Sequence, residues 1–324
     1  MPISSLCKPL GILLVASLLA VLLSLSIGST AIGFDDTLQV ITGGGAELQK
    51  TLILELRLPR TLSAFATGGL LAVAGALMQV LLRNPLADPY VLGLSGGAAV
   101  GALLAMLAGA AGFLVSGAAF AGAMLATLLV FGLAHGSGSW TPSRLLLTGV
   151  VVAAGWGAVI TLILSMTPAT RLPGMLYWLM GDLSHAGTPW PGLLILALVC
   201  LLVFPLGRAL NVLARGSLQA AALGVSVRPL EWSIYLMASL LTATAVTMAG
   251  SVGFVGLVVP HMLRLVLGND QRLILPACAL AGGALLVLAD MLARVVIAPE
   301  QLPVGVITAL IGVPTFLYLL YRSR

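Results

Sequence analysis

The sequence predicts an all-α integral membrane protein with about ten transmembrane helices, and three observations carry that prediction. Hydrophobic residues make up 60% of the 324 and charged residues only 8%, whereas roughly a quarter of a soluble domain is charged. Stretches free of Asp, Glu, Lys and Arg recur at about one membrane thickness, since ~20 apolar residues at ~1.5 Å each cross a ~30 Å hydrocarbon layer. The 15 basic residues stand scattered between these stretches, not in one run or face, so they read as orientation signals with no nucleic-acid footprint. Residues 1–324 are read as a single transmembrane domain, because the bilayer and not a water-excluding core sets the size of its parts.

The first span is Leu10 to Phe34, and its apolar run to Ile27 exceeds the roughly 7 to 15 residues of a secretory signal. Thr61 to Leu82 is the second. Residues Asn84 to Pro89 (Asn-Pro-Leu-Ala-Asp-Pro) then break the helical pattern, since each proline lacks an amide donor and restrains the residue before it. Pro89 to Ser143 is too long for one helix and divides at Gly109 and Gly112 into spans three and four. Gly93, Gly97, Gly101, Ala105 and Gly109 repeat every four positions there, a flat stripe that lets helix backbones approach closely in lipid. Packing within the chain is its expected use, with a contact between two chains as the alternative.

Leu145 to Thr170 is the fifth span. Residues 168–190, with Arg171, Asp182 and His185, are expected to hold a short surface helix outside the membrane. Leu183 to Gly207 is the sixth span, followed by a connection over 208–228. Trp232 to Leu263 is again too long for one helix and divides at Gly250, Gly253 and Gly256 into a seventh span and a shorter eighth. Leu273 to Ala289 and Gln301 to Tyr321 complete the ten. Tyr90, Trp140, Tyr177, Trp178, Trp190, Trp232, Tyr318 and Tyr321 fall near span ends, as an interfacial aromatic belt requires.

An even number of spans puts both termini on one side. With the termini in the cytoplasm, the inner side holds Lys8, Arg83, Arg144, Arg208, Arg215, Arg228, Arg264, Arg272, Arg322 and Arg324. The outer side keeps only Lys50, Arg57, Arg60, Arg171 and Arg294. The positive-inside rule favours this orientation.

Several chemistries find no support in the residues. Neither Lys8 nor Lys50 sits in a G-x-x-x-x-G-K-[ST] loop, so any ATP hydrolysis belongs to another subunit. His135, His185 and His261 are far apart and lack an H-E-x-x-H pattern, and no G-x-S-x-G elbow is present. The chain is therefore expected to be no enzyme and to hold no metal. Cys7, Cys200 and Cys278 form no C-x-x-C pair and read as small apolar residues. All ten acidic residues lie in loops or at span ends, which weakens the alternative of an ion-coupled carrier, whose acids face a pathway inside the bilayer.

Several segments together resemble the permeases of ATP-binding-cassette (ABC) importers for iron chelates, haem and vitamin B12, the FecCD family. They are Arg57-Leu-Pro-Arg60, then Gly75-Ala-Leu-Met-Gln79 leading to Arg83-Asn-Pro-Leu-Ala-Asp-Pro89, Leu92-Gly-Leu-Ser-Gly-Gly-Ala98 and Trp178-Leu-Met-Gly181. Further on come Gly253-Phe-Val-Gly-Leu-Val-Val-Pro-His261 with Arg264, Asp290-Met-Leu-Ala-Arg294, and Leu302-Pro-Val-Gly-Val-Ile-Thr308 running to Gly312-Val-Pro314. The set follows the family's order from about residue 50 onward.

The resemblance implies a BtuC-like, type II importer fold in the bacterial inner membrane. It also implies a second permease chain, expected to be identical, two ATPase subunits that hold ATP and Mg, and a periplasmic substrate-binding protein. No cofactor is expected on this chain. The implied cargo is a metal chelate moved inward, a ferric siderophore first and cobalamin or haem as alternatives.

The resemblance also assigns residues. Arg57, Arg60 and Arg294 would form outer pockets for glutamates of the binding protein, a use suited to two-pronged Arg–carboxylate pairing. Pairing with Glu55 and Asp290 of the same chain is the alternative, and the two roles are compatible. Asn84 and Leu86 would close the cytoplasmic exit. In relatives a G-E-x-x-A-x-x-L-G pattern contacts the ATPase. Here Gly216, Ala220, Leu223 and Gly224 keep it and Ser217 replaces the glutamate, which puts a charge contact there in doubt. Thr148, Trp156 and Thr161 are expected toward a cavity, and Asp182 toward water, cargo or the binding protein.

Overall fold

The computed structural model describes residues 4–28, 32–134, 141–184 and 187–322, and the regular elements among them are all helical. His135, His185, Trp140 and Arg324 lie outside the described residues. Helices α1 (Ser4–Ser26), α2 (Phe34–Ile41), α3 (Glu47–Lys50), α4 (Leu58–Leu81), α5 (Leu94–Leu107) and α6 (Phe113–Ala134) form the first part. Helices α7 (Pro142–Met166), α8 (Leu172–Met180), α9 (Trp190–Val203), α10 (Gly207–Leu213) and α11 (Ser217–Ala222) follow. The chain closes with α12 (Val227–Ala249), α13 (Val255–Leu267), α14 (Gln271–Val295) and α15 (Val304–Arg322). Among the described residues 7 helical runs are long and apolar enough to cross a membrane, and α5, α13 and α15 are shorter apolar helices. Together they are the ten expected.

The second span is longer than its charge-free core. A π-helical turn over Thr51–Arg57 joins α3 to α4, so one helical run extends from Glu47 to Leu81, 35 residues, about 50 Å at ~1.5 Å per residue. Arg57 and Arg60 interrupt the apolar stretch without ending the helical run, which is why the expected start at Thr61 falls inside the helix. From Thr61 to Leu81 nearly every residue of α4 is buried. A helix apolar all round belongs inside a bundle, and α4 is packed by α9, α12, α13 and α14. It is crossed at contact distance: a Cβ on Gly75 would strike the backbone of Gly256, and one on Gly68 the backbone of Gly282.

The long apolar stretches divide where glycines were expected to divide them. Gly109 (φ 84°) and Gly112 (φ 55°) turn the chain between α5 and α6, and Gly250 (φ 66°) ends α12 before α13 returns. The four-residue stripe is shorter than its spacing implies. Gly93 is the left-handed N-cap of α5 and Gly109 lies past its end, and positions four apart share a face only while the helix continues. Gly97 and Gly101 do pack against α6, at Gly122 and Ala118, so the contact is made within the chain.

The connection over 208–228 also begins later than expected. Pro205 converts one turn to 3-10 helix over Phe204–Leu206, and the helical run then continues as α10 to Leu213. A single charge, Arg208, does not end it. In the segment 168–190 the expected short helix is α8. The first span is tied in through Ser17, whose hydroxyl donates to Leu280 O at 3.1 Å on α14. Tyr90 departs from the aromatic belt, because its phenol oxygen accepts the Val252 N–H at 3.2 Å inside the bundle. Contacts group the start of α1, the turn after α4, the α10–α12 connection and the α13–α14 turn at one end of the bundle, called the near end. The end of α1, the start of α4, α8 and the end of α14 form the far end.

Candidate functional site

Two clusters of functional side chains stand at opposite ends of α4. At the far end, Arg57 and Arg294 are buried and donate to the last turn of α1. Arg57 Nη1 reaches Leu25 O at 2.7 Å and Ser26 O at 3.0 Å, and Arg294 Nη2 reaches Ser24 O at 3.2 Å and Ser24 Oγ at 2.6 Å. The hydroxyl of Ser24 in turn lies 3.0 Å from that of Thr61. The last carbonyls of a helix have no partner within it and carry partial negative charge, so these guanidinium groups cap α1. Arg171 does the same for α5, reaching Leu107 O at 2.5 Å. Arg57, Arg171 and Arg294 are thus held at this end by helix C-termini.

Arg60 differs. It forks onto Asp290, with Nε at 3.0 and 3.1 Å from the two carboxylate oxygens and Nη2 at 2.8 Å, and Nη1 meets Gln301 Oε1 at 2.6 Å. Arg294 Nε shares the same carboxylate at 3.1 Å. Asp290 is fully buried, and two guanidinium groups hold its side chain in place. Glu55, the other expected partner, is exposed. Two guanidinium groups converge on one carboxylate, and of the two Arg60 keeps the more open face, at 14% side-chain exposure against 6% for Arg294.

At the near end, α4 stops in a Schellman motif: Arg83 N–H donates to Val80 O at 3.3 Å and Asn84 N–H to Gln79 O at 3.2 Å. The left-handed position belongs to Arg83 (φ 50°) instead of the usual glycine, a conformation that costs a residue with a Cβ about 1 kcal/mol. Asn84 Oδ1 then accepts Leu86 N–H at 2.9 Å, which holds the turn and leaves the Leu86 side chain 40% exposed at its tip. Arg83 Nη1 donates to Ser217 Oγ at 3.4 Å, so the turn touches the first residue of α11.

The segment Gly216 to Gly224 forms α11 with glycines at both ends. Gly224 (φ 80°) closes it by a second Schellman motif, with Gly224 N–H to Ala221 O and Val225 N–H to Ala220 O, both at 3.0 Å. Ala220 is fully buried in the core, whereas Leu218 is 87% and Leu223 71% exposed. This six-residue helix therefore pins one small side chain in the core and turns two leucines outward. Leu218 escaped the sequence reading because the motif skips its position.

Gln79 and Arg264 appeared in the sequence only as letters of a motif. Gln79, 3% exposed, donates from Nε2 to Leu257 O at 3.3 Å and accepts from Arg264, which also reaches Ala76 O at 3.3 Å. They join α4 to α13, and a buried glutamine within an otherwise apolar helix was the available signal. Nearby, Asp270 caps α14; the Arg272 guanidinium, then Asn211, hold its carboxyl well below the usual carboxylate range. Thr148 and Trp156 are half-buried on α7, with Trp156 against Gly96, and Thr161 is exposed and donates to Gly157 O at 2.9 Å. Asp182 is half-buried and accepts Ser184 N–H at 2.8 Å.

A buried central helix, a proline-framed turn at one end touching the short helix α11, and an arginine cluster at the other frame a multi-pass membrane protein. The chain belongs to the FecCD transport family, whose model matches residues 14–322. It is 42% identical over 292 residues to the uncharacterized ABC transporter permease protein YvrB of Bacillus subtilis, covering 87% of this chain and 82% of that one. To the vitamin B12 import system permease protein BtuC of Vibrio cholerae it is 41% identical over 290 residues, covering 86% and 85%. A solved inward-facing conformation of a metal-chelate type ABC transporter matches it with a TM-score of 0.86 at 29% identity, over 97% of this chain and 99% of that one. The protein is an ABC importer permease of the FecCD and BtuC type.

Proposed function

We propose that this chain forms the pathway by which a corrinoid of the vitamin B12 type crosses the bacterial inner membrane into the cytoplasm. The carrying observation is 41% identity to a vitamin B12 import permease spread over 86% of the chain, which moves the expected cargo from a ferric siderophore to a corrinoid. The match to a metal-chelate type transporter keeps a ferric siderophore or haem as the second reading. The near end faces the cytoplasm with both termini, where two ATPase subunits carrying ATP and Mg grip the leucines of α11 in each permease chain. Two identical permease chains bring the Leu86 tips together at the exit. At the far end a periplasmic binding protein presents carboxylates to the arginine cluster, with Arg60 as the contact and Arg57 and Arg294 holding α1 beneath it. An ion-coupled carrier fits less well, because the buried acid Asp290 already has two arginines as its partners.

The test is to co-express the chain with its ATPase and binding protein, purify the complex in mild detergent, and add equal cobalamin, ferric siderophore and haem. Retention of cobalamin, read by mass spectrometry, together with ATP-dependent release supports the reading. Retention of a siderophore or haem instead selects the second.

A further inference from the structure

The near end holds a cavity of about 660 Å³ whose walls come from three separate stretches of chain: the turn after α4, the connection between α10 and α11, and the turn between α13 and α14. Its floor is the end of α4, which other helices surround, and its rim residues Arg83, Arg215 and Asn269 are exposed. The cavity therefore opens at the near end, away from the buried length of α4.

Four arginines line it, Arg83, Arg215, Arg264 and Arg272, against one acid, Asp270. Arg272 takes that acid, with Nη2 at 2.7 Å. Arg83, Arg215 and Arg264 are in no ion pair within 4 Å among the described residues; Arg264 meets the neutral groups Gln79 and Ala76 O, and Arg83 meets Ser217 while the Glu231 carboxyl of α12 acts on it from beyond ion-pair distance. A second observation is independent of charge. Gln271 is 2% exposed, lines the same cavity, and its side-chain carbonyl oxygen meets no donor. A buried acceptor without a donor costs about 1–3 kcal/mol, and an occupant with an N–H or O–H beside its negative charge would remove that cost.

We propose that this cavity receives an acidic side chain of the ATPase partner, carried on a segment whose backbone N–H meets Gln271. The proposal rests on the ATPase partnership above and adds a second foothold to α11. Because Arg83 touches both this cavity and Ser217, the acid would draw the exit turn and the docking helix together. Lipid headgroups share the anionic chemistry, but the buried floor does not favour them.

A photo-reactive amino acid placed at Asn269, and in a separate variant at Leu218, tests this in the assembled complex. The expected result is capture of the ATPase from both sites, with the Asn269 adduct mapping to a peptide that contains Asp or Glu. Arg215→Glu should weaken ATPase retention about tenfold, and Arg215→Lys should keep it within about threefold, since a charge and not a shape is lost. Capture from Leu218 but not from Asn269 overturns the cavity proposal and leaves the partnership standing. Capture from neither site overturns both, and an Asn269 adduct with phospholipid alone assigns the cavity to the membrane.

Discussion

Replacing Asp290 by Asn removes the charge on which Arg60 and Arg294 converge while keeping nearly the same volume. The carboxylate is fully buried and accepts three hydrogen bonds from Arg60, at 2.8 to 3.1 Å, as well as the Arg294 contact at 3.1 Å. Removing one partner of a buried ion pair costs about 3–5 kcal/mol because the other charge is left uncompensated. Asn retains one acceptor oxygen, so the lower bound, about 3 kcal/mol, applies. At roughly 2 °C or more per kcal/mol in a large chain, the unfolding midpoint should fall by about 6 °C. Cys278, which is fully buried, reports unfolding when a fluorogenic maleimide reaches its thiol during a thermal ramp. Glu55→Gln, at an exposed site, should stay within about 0.5 kcal/mol of the parent protein, and Asp290→Asn with Arg60→Gln should recover part of the loss because the two sites are coupled. An Asp290→Asn midpoint within a degree of the parent, or an equal fall in Glu55→Gln, would refute the reasoning.

Leu218→Asp with Leu223→Asp on α11 should abolish ATPase retention while the thermal midpoint moves by no more than about 1 °C, because both side chains are already exposed. Gly75→Leu should prevent accumulation of folded protein in membranes, since the new side chain meets the backbone of Gly256; normal yield would show that the helices can separate there. Arg60→Lys, which keeps a charge beside Asp290 but loses the fork, should weaken retention of the binding protein more than it lowers the thermal midpoint, whereas Arg294→Gln should lower the thermal midpoint first. Acid should act through Asp270. Its folded carboxyl titrates below the usual range because of Arg272 and Asn211, so its stabilisation is complete above about pH 4 and is lost as pH falls below that. Tryptophan fluorescence should show the parent losing stability in that window more steeply than Asp270→Asn, which keeps a capping side chain.

The count and order of the helices were legible because the features that divide them are local. Glycines at positive φ separate α5 from α6 and α12 from α13, and proline framing marks the turn after α4. Boundaries set by charge were less secure. The helical run through Arg57 and Arg60, and that through Arg208, show that one charged side chain moves the membrane boundary without ending a helix. The partners of the arginines were only partly legible. Asp290 was within reach of the motif spacing, but the α1 carbonyls lie more than 30 residues from Arg57 and 270 from Arg294, and no local pattern encodes which helix end a guanidinium will cap. The exposed face of α11 was hidden for a related reason: a motif records retained letters, and Leu218 serves by being apolar and uncovered.

Transport into proteoliposomes tests the central claim most directly. The permease, reconstituted with its ATPase subunits and offered cobalamin on its binding protein, should accumulate the corrinoid only when ATP and Mg are supplied to the near end, and not at all without the ATPase. Accumulation by the permease alone under a proton or sodium gradient would contradict the account.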